Sequence, residues 1–492
     1  MRFVARLLLP LVFVALSCLL IVGCTTLEVS PELATEAEVA ETQTVSSVSS
    51  SDSDDSDLFP GASWSWAESP EARGWSSEKL AEAQSFSRTI GSAAVMIIDD
   101  GLVIDAWGEI DRIFYCHSMR KSLVSGLYGI YVEEGAIDLT RTLAELGIDD
   151  LTPLTQTESQ ATVADLLKAR SGIYIRAAGE AKSMADARPQ RGSHAPGTYW
   201  YYNNWDFNAL GTIFDQETGV ENIYAAFEER IAEPIGMEDF RSETLSYSYV
   251  DYTMHPYYGF NMSARDLARF GLLFLREGNW NGEQIIPAKW VRESTTSYSD
   301  TGDGGGYGYM WWTGTSTGLF PGVTVQSHSY YASGYGGHKI IVLPYKDLVV
   351  VHRVNTFEPG VEISTSQIGI LLWLILDAAG ETGVGEPPFI DSAPGTHLSN
   401  RELFETIAES RWAATGGSSG MFVENTADGE TRILLGDQLV YTGTWKIDGD
   451  RYCVDIPESE DIGGCFNAVL DGKDLRLFEL NGMLSMRFVI ED

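Results

Sequence analysis

The sequence predicts a mixed α/β (α+β) domain followed by a small C-terminal β-domain. Strand-turn-strand patterns stand at both ends of the main segment, over 95–104 and 340–353, with a largely helical stretch at roughly 118–295 between them. From residue 420 onward, short strand patterns alternate with Asp-Gly turns. We therefore expect one sheet built from both ends of the main segment around a helical insert.

The composition supports a folded protein and excludes several classes. The chain has 492 residues, of which 44% are hydrophobic and 11% aromatic, enough for a packed core. This excludes a mainly disordered, collagen-like or coiled-coil chain. A balance of 33 basic against 70 acidic residues gives a net charge of −37. Because such a chain repels phosphate backbones, no nucleic-acid partner is predicted.

Residues 1–23 are expected to be a lipoprotein signal peptide. Two arginines precede a nearly all-apolar run over 7–22, which is short for a membrane span. The sequence Ile21-Val22-Gly23-Cys24 resembles a bacterial lipobox, so cleavage would leave a lipidated Cys24. An uncleaved N-terminal anchor is the alternative, and both tether the body to a membrane. Because Thr25 follows the cysteine, resemblance to Gram-negative lipoproteins favours the outer membrane, facing the periplasm.

The rest of the chain divides into three predicted segments. Residues 24–60 are expected to form an acidic disordered tether, because 25–60 contain nine acidic residues and no basic one. The main domain is expected at 61–390 and the small β-rich domain at 391–492. Cys453 and Cys465 lie twelve residues apart in a chain expected to be exported, which predicts a disulfide.

The first candidate catalytic motif is Ser118-Met119-Arg120-Lys121, an S-x-x-K sequence. It begins a predicted buried helix that ends near Glu134. Residues i and i+3 share a helix face, so Lys121 can reach the Ser118 hydroxyl. A buried lysine has a lowered pKa and can act as a base. The motif therefore favours an activated serine nucleophile. Nearby Cys116 is interpreted as a small buried apolar residue.

The second candidate motif lies in the tyrosine-rich segment 196–204. It contains two overlapping Y-x-N patterns, Tyr201 with Asn203 and Tyr202 with Asn204. A tyrosine close to a lysine can exchange protons with it. The alternative is a tyrosine-rich loop that lines a core.

The third candidate is the segment Ser333-Gly334-Tyr335, directly before the second strand hairpin. Glycines there allow a backbone to approach a substrate closely. A backbone N–H on this strand can complete an oxyanion hole with the N–H of Ser118. The alternative is a glycine-rich entry to a strand.

Together, the three motifs resemble the serine β-lactamase and penicillin-binding-protein superfamily, in its class C β-lactamase-related branch of esterases and 6-aminohexanoate-dimer-hydrolase-like enzymes. The family order S-x-x-K, Y-x-N, K-T-G is kept over about residues 70–380. The resemblance implies a β-lactamase/transpeptidase-like fold, with an antiparallel sheet flanked by helices and an all-helical subdomain. It selects Tyr202 as partner of Lys121 in the base role. It makes Asn204 a residue that positions the substrate or Lys121, and it gives the oxyanion to the N–H groups of Ser118 and Tyr335.

One position departs from the family pattern. Ala332 stands where K-T-G has its lysine. In the family that cation helps to hold the carboxylate of β-lactams and peptide termini, so its loss disfavours both substrates. His338 or Lys339 can substitute only if the side chain points into the site. His255 is a further candidate for the border of the cleft.

The remaining motif matches are interpreted as structural. A second S-x-x-K at Ser76–Lys79 reads as a helix cap. The G-x-S-x-G at 416–420 lacks the strand before it and the helix after it that a nucleophile elbow needs, and the glycine run at 304–308 lacks a phosphate-binding context. His117 is expected to be a surface or core residue. The histidines show no metal-ligand spacing, so no metal site is predicted and no cofactor is required.

The sequence therefore predicts a membrane-tethered serine hydrolase that cleaves a small-molecule ester or amide through a Ser118 acyl-enzyme. One alternative is β-lactamase or D-alanyl-D-alanine carboxypeptidase-like activity. Another is a catalytically weak lipoprotein that binds a cell-envelope ligand, and a third is a purely structural envelope protein. No oligomeric state is predicted.

Overall fold

The structure is a computed structural model. It describes residues 58–491 apart from 302–304, 315–318, 321–322, 327, 359–361, 382–395, 399, 409, 415–420, 449–450, 458–462 and 479–483. The predicted signal peptide, Cys24, nearly all of the tether and the G-x-S-x-G match lie outside the described residues.

The main domain contains an eight-stranded antiparallel sheet. The sheet consists of β1 (Ser92–Asp99), β2 (Leu102–Gly108), β9 (Ser299–Asp300), β10 (Gly306–Tyr307), β11 (Trp312–Thr313), β12 (Tyr330–Gly334), β13 (His338–Leu343) and β14 (Leu348–Val354). The other strands of this segment form short two-stranded ribbons and are β3 (Phe114–Tyr115), β4 (Tyr247–Ser248), β5 (Tyr257–Tyr258), β6 (Asn261–Met262), β7 (Asn279–Trp280) and β8 (Glu283–Gln284). The sheet order is β2-β1-β14-β13-β12-β11-β10-β9, with β1 paired to β14. The two ends of the main segment therefore meet in one sheet, as predicted.

Helices cover both faces of this sheet. They are α1 (Ser77–Thr89), α2 (Arg120–Glu133), α3 (Leu143–Leu146), α4 (Val163–Leu167), α5 (Lys182–Ala187), α6 (Asn204–Thr218), α7 (Ile223–Phe227), α8 (Ala264–Leu275), α9 (Ala288–Ser294) and α10 (Thr365–Ala378). One apolar cluster joins one sheet face to residues of α2, α6 and α8, and a second joins the other face to α1 and α10. The predicted fold class is confirmed.

Local sequence signals account for several of these elements. Asp100 and Gly101 adopt left-handed conformations between β1 and β2, as a tight Asp-Gly hairpin requires. The Ser76 side chain accepts a hydrogen bond from the backbone N–H of Lys79 at the beginning of α1. The second S-x-x-K match is therefore the helix cap that the sequence indicated.

The C-terminal part forms a closed antiparallel barrel. Helix α11 (Asn400–Ile407) precedes most of its strands, which are β15 (Thr396–His397), β16 (Arg411–Ala414), β17 (Met421–Asn425), β18 (Glu430–Leu435), β19 (Gln438–Ile447), β20 (Tyr452–Asp455), β21 (Gly463–Asp471), β22 (Asp474–Phe478) and β23 (Leu484–Ile490). Each strand from β16 to β23 pairs with the next, and β23 returns to pair with β16. The predicted disulfide between Cys453 and Cys465 is present and joins β20 to β21. The sequence predicted short strands but not this closure.

Candidate active site

The turn before α2 presents Ser118. A short 3-10 turn over His117–Met119 leads into α2. His117 adopts φ 48°, a left-handed conformation that costs energy for a non-glycine residue and is often found at functional sites. Ser118 is half-buried, whereas Lys121 is 1% exposed. The turn therefore leaves the hydroxyl accessible above a lysine that is shielded from water.

Lys121 joins the other two members of a catalytic constellation. Its Nζ lies 2.8 Å from Ser118 Oγ and 2.7 Å from the hydroxyl oxygen of Tyr202. The structure therefore brings the S-x-x-K motif together with the tyrosine of the second motif, which follows Lys121 by 81 residues in sequence. Of the two overlapping Y-x-N patterns, it places Tyr202 at Lys121, while the Tyr201 hydroxyl donates to the carbonyl of Met184.

Burial sets the protonation of this pair. Burial, followed by the nearby charge of Arg120, holds the pKa of Lys121 well below its usual range. Burial also raises the pKa of Tyr202, against a hydrogen bond with Ser118 that lowers it. A lysine that loses its proton readily beside a tyrosine that keeps its own makes Lys121 the group able to accept the serine proton.

Helix α6 holds Tyr202 in place through the two residues that follow it and their partners. The Asn203 side chain accepts from Trp205 N and donates to the carbonyl of Ile173. It also donates to the Asp206 carboxyl, which accepts from the Ser171 hydroxyl at 2.6 Å. Burial holds the pKa of Asp206 well above its usual range. These bonds fix the chain on both sides of the α6 N-terminus.

Asn204 contacts the cleft wall. Its Nδ2 donates to the carbonyl of Gly179 at 2.7 Å, and Asn208 one turn later donates to the carbonyl of Ala178 at 3.0 Å. Asn204 Oδ1 is buried without a protein partner in the described part of the chain. The structure thus places Asn204 as a support of the segment at Ala178 and Gly179, and no hydrogen bond joins it to Lys121.

Strand β12 approaches the nucleophile at its C-terminal end. A Cβ added to Gly334 would lie 2.6 Å from the carbonyl oxygen of Cys116, so this contact requires a glycine. Strand β11 pairs only with Tyr330 and Tyr331. Beyond them, no described strand pairs with the outer edge of β12 as far as Gly334. The backbone N–H of Tyr335 follows directly, while its side chain is exposed.

A cavity of about 300 Å³ opens beside the nucleophile turn. It is lined by Tyr115, His117, Ala178, Gly179, Ser248, Val250 and Tyr257. None of these carries a carboxylate, an ammonium or a guanidinium. Burial and the charge of Arg353 lower the pKa of His117 to about 4, so its ring is neutral near pH 7. The cavity wall is therefore uncharged.

Of the two histidines proposed for the cleft, His255 lies away from the nucleophile turn, whereas the ring of His338 lies 5.5 Å from that of His117. His255 is buried against the Trp205 ring, with Nδ1 3.0 Å from Thr212 Oγ1, and it does not line the cavity. His338 is buried in the sheet, where its Nδ1 accepts from Arg353 Nε at 3.0 Å. Burial, and then the charge of Arg353, lowers the pKa of His338. His255 is therefore not placed to supply the cation missing at Ala332, and the His338 ring is uncharged near pH 7.

Lys339 faces away from the nucleophile. Its Nζ donates to Ser333 Oγ at 2.7 Å across β12 and β13. Side chains alternate between the faces of a sheet. Ala332 and Ile340 pack in the cluster that contains α2, whereas Ile341 packs in the cluster with α1 and α10. Lys339 and Ser333 therefore share the α1 and α10 face, so Lys339 does not replace the K-T-G lysine there.

The sequence interpretation missed Arg120, the third residue of S-x-x-K. Its guanidinium is fully buried, and its carbon lies over the rings of Tyr257 and Tyr258, at 4.2 and 4.0 Å from their centroids. Nη2 donates to Asn208 Oδ1 at 3.0 Å. The sequence did contain a signal for it, because Arg120 is a basic residue in a helix that was predicted to be buried.

Neither a metal nor a membrane span is indicated by the described residues. Over these ranges no group of three or more His, Cys, Asp or Glu side chains is arranged to hold a metal ion. No helix among them is long and apolar enough to cross a bilayer.

Cys116 is buried, as the sequence indicated. Burial raises the pKa of its thiol, and the charge of Arg353 acts in the opposite direction.

Comparison with known proteins decides the family. The sequence model of the β-lactamase family matches residues 78–368, more than half of the chain. The chain belongs to the β-lactamase family. Membership implies a serine hydrolase, and the matched residues include the Ser118, Lys121 and Tyr202 constellation and all of β12.

Other relatives of this β-lactamase family member are distant. An uncharacterised protein of Alkalihalophilus pseudofirmus is 23% identical over 301 residues, covering 54% of this chain and 84% of that protein. A putative 6-aminohexanoate-dimer hydrolase from Bacillus anthracis aligns in structure at 18% identity and TM-score 0.46, covering 65% and 87% of the two chains. An octameric penicillin-binding protein homologue from Pyrococcus abyssi aligns at 18% identity and TM-score 0.48, covering 84% and 99%.

Proposed function

We propose that this family member is an exported, membrane-tethered hydrolase that cleaves a neutral ester or amide through an acyl-enzyme on Ser118. The position of Lys121 Nζ between Ser118 Oγ and the Tyr202 hydroxyl carries this proposal. A buried, uncharged amine at hydrogen-bond distance from a serine is the arrangement that activates a weak nucleophile.

The proposed reaction proceeds in two halves. Ser118 Oγ attacks the carbonyl carbon while its proton passes to Lys121. The tetrahedral oxyanion accepts hydrogen bonds from the backbone N–H groups of Ser118 and Tyr335. Tyr202 donates a proton to the leaving alkoxide or amine and is reprotonated from Lys121. In the second half, water attacks the acyl carbon with the same groups acting in reverse, and Ser118 regains its proton.

The surroundings favour a substrate without charge near the scissile bond. The cavity wall carries no charged side chain, and Ala332 faces α2 where the family has a lysine. Because Lys339 lies on the other face of the sheet, it does not supply an ammonium group for a β-lactam or peptide carboxylate. An ester or small amide therefore fits the site better than a β-lactam or a peptide terminus.

Export and tethering rest on the sequence of the N-terminus, with lipid on Cys24 as the proposed anchor and the outer membrane as the proposed location. The Cys453–Cys465 disulfide supports export, because disulfides persist in oxidising compartments outside the cytoplasm.

The test is hydrolysis of short-chain p-nitrophenyl esters by the full chain and by Ser118→Ala. We expect the variant to lose at least about 10³-fold in kcat/KM. Ser76→Ala is the matched control, because Ser76 belongs to the S-x-x-K that only caps α1. It should keep its activity. A chromogenic cephalosporin and a D-alanyl-D-alanine peptide form the second arm. Equal, negligible ester turnover by wild type and Ser118→Ala would favour the binding-lipoprotein alternative.

A further inference from the structure

Arg120 is a buried cation without an anionic partner. Its side chain is fully buried, and its recorded hydrogen bond goes to the neutral amide of Asn208. Its Nε and Nη1 find no protein acceptor in the described ranges. The rings of Tyr257 and Tyr258 contact the guanidinium and supply cation–π attraction in place of a carboxylate.

The next residue in α2 is a second buried basic side chain. Lys121 is 1% exposed and likewise has no carboxylate partner among the described residues. Two adjacent buried cations with no anion are costly, and the cost is relieved when one of them loses its proton. A guanidinium does not deprotonate in proteins, whereas a lysine ammonium does so when buried. The proton must therefore leave Lys121.

We propose that Arg120 acts electrostatically on the base: its fixed positive charge keeps Lys121 uncharged and ready to accept the Ser118 proton near neutral pH. This inference rests on the proposed function, because Arg120 acts only through Lys121. The charge lies on the α2 side of the cleft, behind the Tyr257 ring that lines the cavity. It therefore acts on the base without presenting a cation to the substrate.

The other groups around Lys121 do not cancel this charge. From the α6 side it faces the Tyr202 hydroxyl and the rings of Tyr202 and Phe207, at 4.4 and 4.8 Å from their centroids. The acidic residue in the first turn of α6, Asp206, is bound by Ser171 and Asn203, and burial raises its pKa. From β10, Tyr307 packs against Tyr202, and burial keeps its hydroxyl protonated. The remaining neighbours, Tyr257 and Tyr258 of β5, contact Arg120 directly.

The experiment measures the rate at which a fluorophosphonate labels Ser118 as a function of pH, using the full chain. Ser118 Oγ forms the P–O bond, fluoride leaves, and the proton goes to Lys121, so the rate follows the fraction of uncharged Lys121. We expect Arg120→Gln to move the midpoint up by about one pH unit. Labelling below the wild-type midpoint then falls about tenfold and recovers at high pH.

Two variants of Asn208 separate charge from packing. Asn208→Asp places a carboxylate of nearly the same size on the guanidinium, and should raise the midpoint as Arg120→Gln does. Asn208→Ala leaves the guanidinium without an anion, and should keep the wild-type midpoint even if the maximal rate falls. Both variants lose the donation to the Ala178 carbonyl, so they differ in the added charge.

The outcomes are distinct. Midpoints raised in Arg120→Gln and Asn208→Asp but not in Asn208→Ala support the inference. If wild type is labelled at Ser118 but Arg120→Gln and folded Asn208→Asp keep its midpoint, the inference is overturned while the proposed function stays intact. A wild type not labelled at Ser118 at any pH overturns both.

Discussion

Gly334→Ala tests whether the end of β12 must touch the nucleophile turn. The added Cβ would lie 2.6 Å from the Cys116 carbonyl oxygen, whereas ordinary contact begins near 3.4 Å. The strand must therefore retreat by about 0.8 Å, the difference between these distances. The Cβ atoms of His338 and His117 would lie 3.1 and 3.4 Å from the added Cβ, so they limit how the strand can shift.

The displacement sets the expected magnitude. A misplacement of about 1 Å in a catalytic group costs about 10²-fold in rate, which corresponds to about 2.7 kcal/mol in the activation free energy. The Tyr335 N–H moves with the strand, so we expect kcat for an activated ester to fall by this factor while KM changes little. Overpacking should also lower the free energy of unfolding by about 1–3 kcal/mol.

The assay is steady-state hydrolysis of a p-nitrophenyl ester, with thermal unfolding measured on the same preparations. Gly61→Ala is the matched control, because its new Cβ would meet nothing within 4 Å. A Gly334→Ala protein that keeps kcat within threefold of wild type would refute the proposed position of the oxyanion donor.

Two further predictions concern the lysines and the barrel. Lys121→Met should lower kcat/KM for a neutral ester by about 10²–10⁴-fold without recovery at high pH, because the base is removed. Lys339→Met also removes a buried lysine that is hydrogen-bonded to a serine, but its kcat/KM should stay within threefold of the wild-type value, because that bond lies on the other sheet face. Equal losses of kcat/KM in the two variants, with parallel pH–rate profiles, would contradict the assignment of Lys121 as the base. Replacing both Cys453 and Cys465 by Ala should lower the free energy of unfolding of the barrel by about 2–4 kcal/mol in urea. Reductant should bring the wild-type barrel to the stability of the variant, and a variant as stable as the oxidised protein would argue against the bond.

The sequence carried the local part of the site. Ser118 and Lys121 are three residues apart in one helix, and helical geometry alone brings their side chains together at 2.8 Å. The cap at Ser76 and the Asp100-Gly101 hairpin were likewise predictable from neighbouring residues. The family order of the motifs added Tyr202, which no local rule selects over Tyr201.

Side-chain direction on paired strands was not predictable. Whether Lys339 or His338 could replace the missing lysine depended on which residues of β13 face α2, and that depends on the register with β12. A shift of one residue would have exchanged the two faces. His255, placed in sequence before a tyrosine-rich segment, instead packs on Trp205, because the chain there turns into the core.

The sequence by itself determined the class of fold, the two ends of the sheet, the helix that carries the nucleophile and the pairing of Cys453 with Cys465. These follow from periodicity, turn residues and short separations along the chain. Tertiary structure alone decided that the cavity beside the nucleophile turn has an uncharged wall, that Arg120 has no anionic partner beside Lys121, and that β23 closes the barrel on β16. Each of these depends on contacts between segments far apart in sequence, where burial, packing and strand register act together and leave no local pattern in the chain.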